Sequence, residues 1–160
     1  MGLRLTAAAD DAKGGLLKKV DVRSLRELRL VAVFENIGPE PLAVVGHFIP
    51  PDYGRYELEM SDGSGRAFRP HPIGGCGTRA PLQDHEITSI APGAVFRTPF
   101  HPGFYSDTPS PGPYKARLPY SAWRPPGRSR PMSPVVAARV DQLWTGDLVS
   151  DCVDVTILPS

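Results

Sequence analysis

The chain has 160 residues, 41% hydrophobic and 22% charged, with a formal net charge of +1. That length predicts one domain over residues 1–160, with enough apolar mass to bury a core without metals or staples. Near-neutral charge argues against a dedicated nucleic-acid binder, which carries a strong basic excess, and no run of about 18 apolar residues is present to span a membrane.

Nineteen prolines and sixteen glycines are spread between apolar runs, which marks them as turns and loops of an all-β protein. Leu3 to Ala8 alternates and predicts a first strand. Asp10 to Gly15 is a polar turn. Leu16 to Leu25 is short and broken by charges, and reads as a strand or irregular edge. In Leu28–Phe34, Leu28, Leu30, Ala32 and Phe34 alternate with Arg29, Val31 and Val33. Apolar residues on both faces predict a central strand. Asn36 to Pro41 gathers turn formers, and Leu42, Val44 and Val45 resume an extended run.

Tyr56, Leu58 and Met60 alternate with Glu57 and Glu59, a strand with one wet face that carries both glutamates. Ser61 to Gly65 is a hairpin loop and Arg66 to Arg69 the return strand. Pro70–Gln83 is a loop. Ile87 to Ile90 and Ala94 to Thr98 flank the turn Ala91-Pro92-Gly93. Pro99–Pro113 is a second long loop. Tyr114, Ala116, Leu118 and Tyr120 share one strand face, and Pro119 predicts an edge or a bulge there. Ser133-Pro134 supplies an N-cap and first helical residue for one short helix at 134–142. Val149, Val153, Val155 and Ile157 close the chain. Seven to nine short strands at these spacings predict an antiparallel β-sandwich with core strands over 28–158.

Phe34-Glu35-Asn36-Ile37-Gly38 with Pro41-Leu42, the Ala91-Pro92-Gly93 turn, Pro111-Gly112-Pro113-Tyr114, and Trp144 to Ser150 ahead of Val153-Asp154-Val155 together resemble immunoglobulin-like or fibronectin type III-like sandwiches of bacterial proteins. The resemblance covers roughly 28–60 and 87–158, and it lacks the antibody-type Cys…Trp…Cys arrangement. It implies an immunoglobulin-like fold and gives Tyr114 the role of a tyrosine corner, its hydroxyl bonding backbone near the preceding turn. It implies no activity by itself.

The candidate binding residues are Phe100, Phe104 and Tyr105, aromatics in the proline-braced loop 99–113. The alternative is that these rings cap the core. Trp123 and Arg124 add a second basic, aromatic cluster. The function expected is a non-catalytic interaction module without cofactor, engaging another protein through the loops Pro99–Pro113 and Pro70–Gln83. One version implied by the resemblance is a proteinase inhibitor, whose rigid loop would resist cleavage. The competing class is a thiol or metal site at Cys76 with His71 and His85, though no paired-ligand spacing supports it. Cys76 and Cys152 allow one disulfide. The N-terminal residues lack a signal-peptide apolar region, so a native Met1 predicts a cytoplasmic protein, and a removed signal an extracytoplasmic one.

Overall fold

The computed structural model describes residues 2–45, 55–70, 83–100, 109–122 and 133–159. In chain order the strands are β1 (Leu3–Asp10), β2 (Leu16–Leu17), β3 (Lys19–Val22), β4 (Leu30–Asn36), β5 (Leu42–Val45), β6 (Arg55–Tyr56) and β7 (Glu59–Asp62). They continue as β8 (Ala67–Phe68), β9 (Ile87–Ile90), β10 (Val95–Phe100), β11 (Gly112–Arg117), β12 (Pro119–Ala122), β13 (Gly146–Val149) and β14 (Val153–Ile157). The described residues also include one helix, α1 (Pro134–Val140), and a 3-10 turn at Asp84–Glu86.

One sheet has the order β10-β4-β1-β2 and a second the order β3-β14-β11-β7-β8. The phenylalanine-bearing strand β4 is central, antiparallel to β1 on one side and β10 on the other. Its even-numbered residues are buried, and they join the inward residues Met60, Ala116, Val153 and Val155 of the second sheet in one core. Across that interface Phe34 meets Tyr120 edge-on, with ring centroids 5.1 Å apart, and Tyr120 stacks on Trp144 at 6.2 Å. The architecture is an all-β sandwich. Among the described strands one pair is parallel, β14 with β3.

Two smaller ladders, β13-β12-β6 and β5-β9, prolong the large ones. The segment β5 does not fold back on β4. Chain 30–45 stays paired with chain 87–100, first as β4 with β10 and then as β5 with β9. The turn formers at 37–41 and 91–94 therefore bulge outward from a shared ladder and do not reverse the chain. The same holds for β6 with β7, β11 with β12, and β13 with β14, so among the described residues the fourteen segments make nine longer runs.

Pro119 explains one interruption. Glu57 N–H donates to Pro119 O at 2.9 Å, but proline has no N–H to return, so the ladder breaks between β6 and β7. Opposite, Ser150, Asp151 and Cys152 face only Arg117 and Leu118, a bulge on the partner strand. Buried Ser150 ties it, its Oγ accepting from Leu118 N–H at 2.9 Å and donating to Asp151 O at 2.7 Å.

Asn36 closes the other double bulge. Its side chain is fully buried; Nδ2 donates to Glu40 O at 2.8 Å and Ile90 O at 2.9 Å, and Oδ1 accepts from Gly38 N–H at 2.9 Å. A single amide thus satisfies three backbone groups that the bulges remove from the ladder.

The predicted helix forms with Ser133 as N-cap, its Oγ accepting from Val136 N–H at 3.2 Å, and it ends at Val140. Val136 and Leu143 cover Ala43, Val45 and Ile87 in a small second core, so β5 is buried on both faces. The hairpin forms where predicted, β7 pairing with β8. Asp62 Oδ1 holds its turn by accepting from Ser64 N–H, Ser64 Oγ–H and Arg66 N–H.

Two expectations are corrected. Phe100 lies in β10, not in a loop, and is 5% exposed in the main core, so its ring caps the sandwich and offers no binding surface. Glu59 is buried, not solvated: Arg69 and Arg117 both reach it, and two guanidiniums offset its desolvation.

Candidate functional site

The outer face of the five-stranded sheet follows from the two-residue period of its strands. Val22, Met60, Ala116 and Val155 point into the core, which sends Lys19, Asp21, Asp154, Thr156, Pro113, Lys115, Arg117 and Ser61 outward. Register then aligns Lys19, Asp154, Lys115 and Ser61 in one row across β3, β14, β11 and β7. In the neighbouring row Arg117 stands opposite Glu59.

An open groove of about 530 Å³ runs along the first row. Its floor is Pro113, Lys115, Asp154 and Thr156, with Lys19 on the β3 side and Asp62, Gly63 and Gly65 of the hairpin turn on the β7 side. That volume falls within the ~300–1,000 Å³ usual for ligand clefts. Three strand spacings of about 4.8 Å separate β3 from β7, so the groove spans roughly 14 Å.

Charge is distributed unevenly along it. In the middle, Lys115 Nζ donates to Asp154 Oδ1 at 2.7 Å. The bond holds the Asp154 carboxyl below its ordinary range and raises the Lys115 ammonium, so the pair is mutually neutralised. At one end the exposed Lys19 makes no ion pair among the described residues. At the other, Asp62 is held below the usual carboxylate range by its Ser64 hydroxyl and Arg66 N–H donors, and stays charged. Cation at one end, anion at the other: the groove is dipolar.

Gly63 and Gly65 form an open wall, since a Cβ at either would meet nothing within 4 Å. Gly65 has φ +81 and needs glycine for the turn; Gly63 does not. Tyr114 anchors the floor from beneath. Its Oη donates to Ser110 O at 2.8 Å, four residues upstream.

The remaining shifted carboxylates are committed to structural ties. Burial would raise Glu59, but Arg69 Nε (3.0 Å) and Nη2 (2.7 Å) and Arg117 Nε (2.6 Å) outweigh it and hold the carboxyl low. Burial would likewise raise Asp151, yet Lys18 Nζ at 2.6 Å and Ala7 N–H at 2.8 Å bring it below its ordinary value. Lys18 Nζ also donates to Ala7 O at 2.5 Å. The Lys18–Asp151 pair thus takes the place of a neighbouring strand at the edge of β1, tying one sheet to the other.

Of the residues singled out from the sequence, Phe104, Tyr105, Trp123, Arg124, His71 and Cys76 lie outside the described residues. His85 is exposed in the 3-10 turn, and Cys152 is exposed in the bulge. Among the described residues no three His, Cys, Asp or Glu side chains gather as metal ligands, and no helix is long and apolar enough to cross a membrane. The groove residues Lys19, Ser61, Asp62 and Thr156 were not singled out by sequence reasoning. Alternation in Lys19–Val22 and Val153–Ile157 marks their outward positions; the parallel pairing that unites them carries no local signal.

No family model matches this chain, and no curated protein matches it.

Proposed function

We propose that this chain is a non-catalytic interaction module of immunoglobulin-like architecture that engages another protein. The observation that carries the reading is the groove of about 530 Å³ on the outer face of the five-stranded sheet. Its floor is strand-borne and cross-braced by the Lys115–Asp154 pair, so a ligand would meet a rigid surface at little ordering cost. The immunoglobulin-like assignment is supported by the parallel pairing of β3 with the last strand, by the placement of β11 between β14 and β7, and by the Tyr114–Ser110 bond. Ion pairs that brace a fold also shift carboxyl pKa values, and the partners of Glu59, Asp151 and Asp154 are of that kind, in keeping with a binding role.

The test is backbone amide NMR with short extended peptides of neutral, acidic, basic and mixed charge. Resonances of Lys19, Ser61, Asp62, Lys115 and Thr156 are expected to move, and Gly63→Leu, which fills the groove mouth without disturbing the turn, is expected to abolish the movement. Shifts confined to other surfaces, or unchanged by Gly63→Leu, would defeat the reading.

A further inference from the structure

The dipolar distribution of charge defines what the groove accepts, and this step rests on the binding role just proposed. We infer that it selects an extended peptide segment carrying a cation and a carboxylate four residues apart, the carboxylate at Lys19 and the cation at Asp62.

The argument is one of unspent charge. Lys115 and Asp154 neutralise one another at 2.7 Å in the middle of the groove. At the β3 end Lys19 makes no ion pair among the described residues but acts on Asp154, its register partner, so Lys19, Lys115 and Asp154 together carry one net positive charge, with the Thr156 hydroxyl one pleat along the neighbouring strand. At the β7 end the Asp62 carboxylate uses Oδ1 for the turn and feels the Arg66 charge, while Oδ2 makes no hydrogen bond or ion pair with the described residues and stays open to a second cation. Any anion at Lys19 also faces the Asp154 carboxylate, and a dianion such as phosphate meets about twice the repulsion that a single carboxylate does. Asp62 repels a second anion and attracts a cation.

Length sets the spacing. The ends are roughly 14 Å apart, and an extended chain rises about 3.4 Å per residue, so residues i and i+4 span about 13.6 Å. In an extended chain these two also point to the same side, so both charges reach the groove together while the residues between them cross the Lys115–Asp154 pair and Pro113.

The probe is a terminally blocked pentapeptide with lysine first, glutamate fifth and alanines between, titrated by amide NMR at low ionic strength. Controls replace its glutamate with glutamine, replace its lysine with glutamine, or move the glutamate to position three; inorganic phosphate is a fourth control. Each peptide change is expected to weaken binding about threefold, the scale of one exposed charge pair. Lys19→Ala should remove the preference for glutamate over glutamine while leaving the preference for lysine. Asp62→Asn should do the reverse, its side-chain oxygen retaining the turn. Equal binding of all four peptides at a groove that Gly63→Leu still closes would overturn the charge selectivity and leave the binding role standing. Tighter binding of phosphate than of the pentapeptide at Lys19 would also overturn it. A groove unmoved by every ligand would overturn both.

Discussion

Replacing Asn36 should cost more stability than its size suggests. The side chain is fully buried and holds three backbone groups, Glu40 O, Ile90 O and Gly38 N–H, at 2.8–2.9 Å. Asn36→Ala leaves two carbonyls and one amide without partners beneath the double bulge. Each buried loss costs about 1–3 kcal/mol, and water entering beside the exposed turn recovers part of it. The expected destabilisation is therefore about 3 kcal/mol, a fall in Tm of roughly 6–12 °C for a domain of this size.

Asn36→Asp separates hydrogen-bond direction from volume. A carboxylate oxygen would face the Glu40 and Ile90 carbonyls, so the folded state would favour the protonated acid and raise its pKa above the unfolded value near 3.9. For an acid with a raised folded pKa the penalty is absent below the unfolded pKa and complete above the folded one. Urea melts across pH should therefore show Asn36→Asp losing stability relative to wild type as pH rises from about 4 to 7. A loss below 1 kcal/mol for Asn36→Ala, or an Asn36→Asp penalty unchanged over that pH range, would refute the claim that this amide carries the bulges.

Other consequences follow from the same geometry. Tyr114→Phe removes only the bond to Ser110 O and should lower stability by about 1 kcal/mol in denaturant melts without altering the far-ultraviolet spectrum. Gly146→Ala should cost about 2–3 kcal/mol and change the near-ultraviolet signal of Trp144, because Gly146 has φ +146 and its Cβ would lie 2.9 Å from the Trp144 ring. Gly63→Ala, with ordinary φ and open space, should change stability by less than about 0.5 kcal/mol. Glu59 and Asp151 have depressed folded pKa values, so their contribution is present above the unfolded values near 4 and lost as pH falls through the lowered ones. A Glu59→Gln, Asp151→Asn double variant should accordingly show a flatter decline of unfolding free energy below about pH 4.

Local pattern determined much of this protein. The alternation of Leu30 to Phe34 places alternate residues in the core whatever the strand pairs with, because a two-residue period is a property of extended backbone itself. Ser133-Pro134 starts a helix, and Ser61 to Gly65 turns a hairpin, through short-range hydrogen bonds and φ preferences that neighbours need not supply. Tertiary structure decided what those signals could not. Asn36 to Pro41 carries turn chemistry, yet the chain continues along the same partner, because strand 87–100 offers a ladder on both sides of the bulge. Glu59 has the alternation of a wet face and is buried, because Arg69 and Arg117, ten and fifty-eight residues away, converge on it. The groove belongs to the same class. Lys19 and Asp154 are distant in sequence and become neighbours only when β3 lies parallel to β14, a pairing selected by long-range packing and invisible to any local window.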